Sequence, residues 1–215
     1  MTASKFSPKE LDQYKSMRDP EKTPEPFTSE KEDPQHLVFV IHKHAATALH
    51  YDLRLQVGKA MPSWAIPKGP TLDNKVKRLA MRTEDHPLDY RFFEGVIPEG
   101  EYGAGPSMIW DTGYYIAERE ISKGVREEIS EKDQGNEVMK AGLEKGEIKF
   151  ILFGKKLSGS FALVKTKGFP PGKASEKAWL LIKHDDKAAE SGYDAKDYDF
   201  SAISNKSLEE IKKGG

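Results

Sequence analysis

The stretch LVFVIHKHAATALHYDLRLQ, residues 37–56, decides the fold because its apolar and polar side chains alternate with the two-residue period of a strand. The first half divides into two faces, with Leu37, Phe39 and Ile41 against Val38, Val40, His42 and His44. The second half divides in the same way, with Tyr51, Leu53 and Leu55 against His50, Asp52 and Arg54. A turn at residues 45–49 would pair the two runs antiparallel and place His44 opposite His50.

The polar face of this predicted hairpin suits a metal ion. Neighbouring strands lie about 4.8 Å apart, and alternate residues on one strand about 6.6 Å apart, so two imidazoles and a carboxylate can converge on one ion. The alternative is the exposed side of an antiparallel sheet. Such a side usually carries Thr, Lys, Glu and Ser, whereas this one has neither Lys nor Glu. The pattern therefore favours a metal site.

The composition limits the classes of function. A length of 215 residues with 37% hydrophobic content suits one domain, or one domain with tails. The net charge is −1, so a nucleic-acid partner requires a local basic patch. The absence of cysteine excludes disulfides, thiolate metal sites and cysteine nucleophiles. With no apolar run long enough for a bilayer and no signal peptide, the expected location is the cytoplasm, without a membrane partner.

Short strands separated by glycine and proline are predicted along much of the remaining chain. They cover residues 61–66, 77–83, 107–111, 148–153, 159–165 and 178–183. Thr112-Gly113 is predicted to turn the chain. The glycine-dense residues 94–105 lack the lysine and the following helix of a phosphate loop, so we expect these glycines to allow bends and close backbone approach at the corners of a barrel. The fold class is therefore all-β, either a barrel or a sandwich.

Three segments are expected. Residues 1–35 form a charged, proline-containing N-terminal arm, which is either disordered or carries one short helix with Leu11, Tyr14 and Met17. Residues 36–187 form the β domain, in which residues 117–146 have helical spacing and mixed charge and are predicted to be a solvated excursion. Residues 188–215 form a polar tail with a short amphipathic helix at residues 208–211. Without a coiled-coil pattern, a monomer is expected.

Several sequence motifs resemble those of the phosphoesterase domain of bacterial and archaeal DNA ligase D. In chain order these are His44, His50, Tyr51-Asp52, Arg54, SWAIPKGP, KRLA, EDHPLDY, FEGVIPEGEYGAG and WD-G. The resemblance runs from about Arg18 to about Lys183. It implies a compact β-barrel of short antiparallel strands with a few short flanking helices. It also implies a manganese-dependent activity that removes a 3′-terminal ribonucleoside and then the 3′-phosphate, leaving a 3′-hydroxyl for repair by non-homologous end joining.

The same resemblance assigns roles to individual residues. It places metal ligands at His44, His50 and Asp52. It places phosphate-contacting groups at Arg54 and His86, with Tyr90 beside them. It places further residues that support activity at Lys68, Arg78 and Glu84, and residues for ribonucleoside removal at Arg18, Asp19 and Glu25.

The implied cofactor is Mn²⁺, and other divalent transition metals suit the same ligands. The implied substrates are DNA or DNA–RNA primer-template 3′ ends. No ligase or polymerase module follows in the sequence, so we expect a stand-alone version. Its expected partners are a separate ATP-dependent ligase, a polymerase and a Ku-like end-binding protein.

The chemistry of these residue types agrees with the resemblance. Arg54 can offer two parallel donors to a phosphate, and His86 can be a general acid for the leaving oxygen or a stabiliser of charge. His42 differs from the family, which more often has an uncharged polar residue there. Facing Asp52 across the hairpin, it either orients that carboxylate, which we favour, or joins the metal. His36 and His184 are assigned no chemistry.

Two other classes of function stay open. His50-x-Asp52 with a distant histidine also fits a 2-His-1-carboxylate iron oxygenase. Against this interpretation, the sequence has more anion-binding groups than one small organic acid needs: Arg54, Lys68, Arg78 and His86. The second class is a non-catalytic DNA-end-binding barrel. The sequence keeps all three implied metal ligands together with Arg54 and His86, which argues against a barrel that has lost its catalytic activity.

Overall fold

The chain folds into twelve strands, three α-helices and three short 3-10 helices in a computed structural model that describes residues 9–168 and 170–214. The α-helices are α1 (Lys9–Ser16), α2 (Lys132–Lys145) and α3 (Leu208–Lys213). The first six strands are β1 (Leu37–Ala45), β2 (Leu49–Leu55), β3 (Ala60–Met61), β4 (Ser63–Ile66), β5 (Lys77–Arg82) and β6 (His86–Pro87). The last six are β7 (Gly95–Ile97), β8 (Gly105–Ser122), β9 (Val125–Ile129), β10 (Glu147–Gly154), β11 (Ser158–Lys165) and β12 (Ala178–Lys183). The 3-10 helices are Leu88–Phe92, Lys173–Glu176 and Ala195–Asp197.

Eight strands close into an antiparallel barrel. Their order is β1-β2-β4-β5-β12-β11-β10-β8, and the pairing of β8 with β1 closes the sheet. Strands β7 and β9 pair with the two ends of β8, while β3 and β6 form a separate two-stranded pair. The predicted all-β barrel with a few short helices is therefore confirmed.

The barrel interior is filled by the apolar faces that the alternation predicted. On β1 and β2 these include Phe39, Ile41, Leu53 and Leu55, none more than 1% exposed. Burial of each such side chain contributes about 1.5–3 kcal/mol to stability. Because this face points inward, the opposite face of β1 and β2, with its histidines, points out of the barrel.

Strand β8 differs from its prediction. The expected turn at Thr112-Gly113 is wrong, because β8 runs through both residues between β1 and β10. A Cβ at Gly113 would lie 2.1 Å from the carbonyl oxygen of Phe153, so the glycine permits close approach of two strands instead of a turn. The predicted strand at residues 61–66 is also divided, into β3 and β4, on either side of Pro62.

The glycine-dense residues 94–105 do serve close backbone approach. Gly105, at φ +135°, begins β8, and a Cβ there would lie 2.1 Å from the carbonyl oxygen of Ala45 at the end of β1. A side chain at this position would separate the two strands, which agrees with the expected role of these glycines.

The predicted solvated excursion at residues 117–146 is only partly right. Helical spacing correctly indicates α2, but residues 117–122 continue β8, and Val125–Ile129 pairs with them as β9. Ala117 and Met139 are fully buried in the main core. The segment therefore covers one side of the barrel.

Within the described residues, α1 packs beside β6 and α3 packs against β8. The buried Tyr14 of α1 donates its hydroxyl proton to the Pro26 carbonyl at 2.9 Å, so the disordered alternative does not hold for residues 9–35. Residues 1–8 of the predicted arm lie outside the described residues. At the other end, Tyr193 and Ala195 join the main core, and so does the predicted helix at residues 208–211, which lies within α3. None of the helices in the described part of the chain has the length and apolar composition needed to cross a membrane.

Candidate metal centre and phosphate site

The β1–β2 hairpin brings three potential metal ligands together. The strands pair in the predicted register, with His44 opposite His50 and His42 opposite Asp52, and residues 46–48 connect them. One ligand atom from each of His44, His50 and Asp52 lies within 4.8 Å of the other two. Within residues 9–168 and 170–214, no other group of three such side chains has this spacing.

Backbone carbonyls fix which nitrogen of each imidazole can bind a metal. His44 Nε2 lies 2.8 Å from the Gly103 carbonyl, and His50 Nδ1 lies 2.8 Å from the Ala48 carbonyl. Because a carbonyl oxygen only accepts, both of these nitrogens carry the proton. The unprotonated His44 Nδ1 and His50 Nε2 lie 3.9 and 3.5 Å from the Asp52 carboxylate. Such hydrogen bonds orient histidine ligands, so the set fits a divalent transition metal.

The charges of the hairpin residues are strongly coupled. Burial raises the pKa of Asp52, but the charge of Arg54 and the interactions with His44 and His50 outweigh it and hold the pKa well below its usual range. Burial also lowers the pKa of His50, but its interaction with the carboxylate of Asp52 raises it above its ordinary value. Asp52 is therefore ionised, and a protonated His50 would have to lose its added proton before it could bind a metal.

Arg54 is the centre of the polar network beside the ligands. Its Nη2 donates to Asp52 Oδ2 at 2.9 Å, and its Nη1 donates to Ser63 Oγ at 3.1 Å and to His86 Nδ1 at 2.9 Å. The guanidinium carbon also lies over the Tyr90 ring, 4.6 Å from its centroid. These contacts hold the planar cation in one orientation beside the metal ligands.

Two neighbours of His86 Nδ1 require opposite tautomers. Arg54 Nη1, which only donates, lies 2.9 Å from this nitrogen, and the Glu84 carbonyl oxygen, which only accepts, lies 3.0 Å from it. The other ring nitrogen, Nε2, lies 3.8 Å from Glu84 Oε1. Burial, and then the charges of Arg54 and Arg18, lower the pKa of His86 well below its usual range. His86 is therefore neutral and carries one ring proton.

The prediction that His42 orients Asp52 is wrong, because both of its ring nitrogens bind other groups. His42 is also not one of the three candidate metal ligands. Its Nε2 donates to the Phe93 carbonyl at 3.0 Å, and its Nδ1 accepts from Arg54 Nε at 3.4 Å. Burial, and then the charge of Arg54, lower its pKa to about 3, so the side chain is neutral. Its structural effect is to hold Arg54.

The N-terminal arm reaches the same site through Arg18. Its guanidinium pairs with Glu25 of the arm at 3.0 Å and with Glu84 after β5 at 3.2 Å, and all three side chains are buried. Glu25 also accepts the Tyr90 hydroxyl proton at 3.0 Å. The arm is therefore connected to Arg54 through Tyr90, by the hydrogen bond between Glu25 and Tyr90 and the cation–π contact between Tyr90 and Arg54.

An open cavity of about 340 Å³ lies over these groups. Its polar part includes Arg18, His44, His50, Asp52, Arg54, Glu84 and His86. Ile97 and the half-exposed Tyr102 line it from the segment before β8. The cavity therefore combines ligands for a metal, donors for an anion and one apolar side.

Comparison with known proteins agrees with this geometry. The family model described as the DNA Ligase D 3'-phosphoesterase domain matches residues 42–165. The chain belongs to this family. The resemblance predicted from the sequence is therefore confirmed.

Three relatives carry the same family region within longer chains. The multifunctional non-homologous end joining protein LigD of Pseudomonas aeruginosa is 43% identical over 187 residues, 86% of this chain and 20% of the relative. LigD of Mycolicibacterium smegmatis is 41% identical over 177 residues, 82% of this chain and 21% of the relative. LigD of Mycobacterium tuberculosis is 40% identical over 159 residues, 74% of this chain and 18% of the relative. The chain thus spans about a fifth of the length of these relatives.

Three residues that the phosphoesterase family resemblance indicated lie away from the cavity. Lys68 is exposed beyond the end of β4, and Arg78 shares the inward face of β5 with the fully buried Ala80. Asp19 is bound to Lys22 by a 3.0 Å ion pair in an exposed turn. Among the described residues, these three side chains do not line the cavity that contains the metal ligands.

Sequence reasoning missed three contributors to the site. Ser63 contacts Arg54, Gly103 holds His44, and Tyr102 lines the cavity. Tyr102 and Gly103 lie within FEGVIPEGEYGAG, a segment whose family resemblance implies no chemical role for either residue. The register of β2 against β4, which sets Arg54 opposite Ser63, was the signal that could have indicated the serine.

Proposed function

We propose that this protein is a manganese-dependent phosphoesterase that heals DNA 3′ ends. It would remove a 3′-terminal ribonucleoside and then the 3′-phosphate, leaving a 3′-hydroxyl for non-homologous end joining. The observation that carries this proposal is the convergence of His44, His50 and Asp52 in one cavity with Arg54. Membership of the phosphoesterase family, and relatives named for end joining, support the substrate class.

The charges around the cavity support a divalent cation. Two buried guanidinium groups, Arg18 and Arg54, face three buried carboxylates, Glu25, Asp52 and Glu84. This set has a net charge of minus one, which repels a phosphate, and a divalent ion reverses the sign to plus one. When bound by His44 Nδ1, His50 Nε2 and Asp52, Mn²⁺ supplies Lewis-acid polarisation of a phosphoryl oxygen and acidification of a water.

Arg54 binds phosphate in this proposal, but with fewer donors than the sequence indicated. A guanidinium has five N–H groups. Contacts with His42, Ser63, His86 and Asp52 use four of them among the described residues, which leaves one on Nη2. A two-pronged phosphate contact therefore requires that Arg54 release one of its present partners.

The neutral His86 favours charge stabilisation over proton donation by an imidazolium. In the tautomer in which Nδ1 accepts from Arg54, its Nε2–H can donate to a non-bridging or leaving oxygen. Phosphoryl transfer spreads negative charge over several oxygens, so two fixed donors from different strands suit it. We propose that His86 and Arg54 bind the same phosphate.

Turnover of defined primers tests the proposed function. The substrates are a primer-template ending in one ribonucleotide and the same duplex ending in a 3′-phosphate, each assayed metal by metal. We expect His44→Ala, His50→Ala and Asp52→Ala to abolish manganese-dependent release of both end groups. His36→Ala is the matched control, because this histidine is partly exposed and stacks on Tyr114 away from the cavity. Full activity in the three ligand variants would reject the metal assignment.

The same proteins separate the two alternative classes. An iron oxygenase would consume 2-oxoglutarate with iron and leave both primers intact. A non-catalytic DNA-end binder would retain primers with and without metal, but release neither end group. The ligase, polymerase and end-binding partners proposed above become testable once turnover is established.

A further inference from the structure

Tyr102 lies at the mouth of the cavity and has no role in the function proposed above. Its side chain lines the cavity but remains 48% exposed. The other tyrosine that lines the cavity, Tyr90, is only 2% exposed, and Arg54 lies over its ring. Among the described residues that line the cavity, Tyr102 is thus the one aromatic side chain with a large accessible surface.

The loop that carries Tyr102 is tied to the metal centre. Glu101 N donates to the Pro98 carbonyl at 3.2 Å, and Ala104 N donates to the Glu101 carbonyl at 3.1 Å, forming two consecutive turns. The next residue after Tyr102 is Gly103, whose carbonyl accepts the His44 Nε2 proton. The ring is therefore held at a fixed place, one residue from the group that orients a metal ligand.

One side of the ring already takes part in a stack. The guanidinium carbon of Arg18 lies 3.9 Å from the ring centroid of Tyr14 and 5.3 Å from that of Tyr102. Arg18 is itself fixed by its ion pairs with Glu25 and Glu84. Arg18 thus contacts both rings, and of these three side chains Tyr102 is the one with a large exposed surface.

We propose that Tyr102 is the platform on which the base of the 3′-terminal nucleoside stacks. This inference rests on the proposed function, since it places the leaving nucleoside beside the phosphate bound at Arg54 and His86. The inner part of the cavity is charged and suits the phosphate, whereas a base needs an accessible aromatic face. Stacking on one ring tolerates every base, because each base has a π face. Tyr102 therefore recognises the presence of a terminal nucleoside and not its identity.

The decisive comparison uses two ends that differ in the nucleoside alone. We expect Tyr102→Ala to lower kcat/KM for ribonucleoside release about tenfold. Release of a 3′-phosphate, which has no nucleoside beyond the phosphate, should change less than twofold. Tyr102→Phe and Tyr102→Trp should keep near wild-type rates on both ends. Phe92→Ala is the matched control, because Phe92 is similarly exposed, at 53%, but does not line the cavity.

A binding measurement provides a readout without turnover. With Mn²⁺ present and a non-hydrolysable phosphonate in place of the terminal phosphate, fluorescence anisotropy compares wild-type protein and Tyr102→Ala on labelled primers that end with or without the ribonucleoside beyond it. We expect the variant to lose about tenfold in affinity for the first primer alone. An equal loss on both primers would mean that the ring contacts the template or merely supports the loop, and it would overturn the proposal.

The two proposals fail in different ways. If wild-type protein releases neither end group with any metal, the proposed phosphoesterase function is wrong, while the anisotropy experiment still tests stacking. If wild-type protein is active and Tyr102→Ala matches it on both ends, only the stacking inference is wrong. Repeating both assays with single-stranded primers separates the terminal nucleoside from a template base, because a template contact requires the duplex.

Discussion

The imidazole of His44 donates a hydrogen bond through Nε2 to the main-chain carbonyl of Gly103, at 2.8 Å. A backbone group therefore selects the tautomer of His44, a proposed metal ligand. Gly103 has φ +79°, a conformation in which an L-residue is strained. A Cβ there would lie 3.5 Å from His44 Cε1, an ordinary contact, so space alone does not explain the glycine. The glycine is explained by its positive φ, which directs the Gly103 carbonyl towards His44.

This relationship predicts that Gly103→Ala weakens metal binding. The added methyl group favours a negative φ at a cost of about 1–2 kcal/mol, and any relaxation turns the carbonyl away from His44. Loss of such a partner typically lowers metal affinity by about 10–100-fold. Titration of metal-free protein with Mn²⁺, followed by calorimetry, measures the change.

Gly100→Ala is the control for this experiment. Gly100 has φ +91° in the same loop, and a Cβ on it meets nothing within 4 Å. Its backbone strain is therefore comparable, but it holds no metal ligand. Both variants should lose similar thermal stability, and an equal loss of Mn²⁺ affinity in both would contradict a specific role for the Gly103 carbonyl.

Arg54→Lys is predicted to retain the positive charge but to lose the hydrogen bonds that hold Asp52, Ser63 and His86, and with them most of the activity. A lysine cannot reach Asp52, Ser63 and His86 at once, because its ammonium is a single point and not a planar fork. We expect kcat/KM for 3′-phosphate release to fall about 100-fold or more, as when one transition-state donor is removed. Arg119→Lys changes an exposed arginine, paired with Glu127, and should leave the rate unchanged. Near wild-type rates for Arg54→Lys would exclude Arg54 as the phosphate donor.

The buried neutral His42 predicts a dependence of stability on pH. Its folded-state pKa is lowered to about 3, mainly by burial and then by Arg54, from a model-peptide value of 6.5. Between these values the unfolded chain binds a proton that the folded protein does not, so stability falls as the pH falls. The loss is about 1.4 kcal/mol for each pH unit in this range.

His42→Gln, which keeps a neutral polar side chain, should remove this contribution. Urea unfolding of the metal-free proteins from pH 4 to 8 measures it. Relative to wild-type protein, the variant should lose less stability on acidification below pH 6.5, while the two curves run parallel above pH 7.5 because His42 is neutral in both states there. Parallel curves throughout would show that His42 becomes protonated in the folded protein.

The sequence predicted the hairpin and the convergence of His44, His50 and Asp52 because that information is local. Alternation assigns the faces of β1 and β2, and a short connection forces His44 opposite His50. The helical spacing that indicates α2 and the short helix within α3 is also a local pattern, and the structure has a helix at both places. In contrast, β8 continues through Thr112-Gly113, because strands distant in sequence pair with it on both sides.

The contacts that complete the site depend on long-range pairing. Arg18 meets Glu84 from 66 residues away, and His42 turns to the Phe93 carbonyl from 51 residues away. No periodicity within either segment encodes these distances, since they follow from barrel closure and from packing of the arm. The resemblance indicated Arg18 and Glu84 as functional residues, but not that they pair with each other.

The pairing of Arg18 leads to a last prediction, which concerns the arm. Arg18→Ala leaves Glu25 and Glu84 buried without their cation, which typically costs about 3–5 kcal/mol of stability. It also removes the cation–π contact of Arg18 with Tyr102, while the contact between Arg54 and His86 is not directly altered. Assayed below the melting temperature of the variant, ribonucleoside release should therefore fall more than 3′-phosphate release. Lys22→Ala, an exposed change in the same arm, should affect neither step. If Arg18→Ala slowed both steps equally, the arm would have a purely structural role. Arg18→Lys keeps a cation between the two carboxylates, so it repeats the comparison in a protein with a better preserved fold.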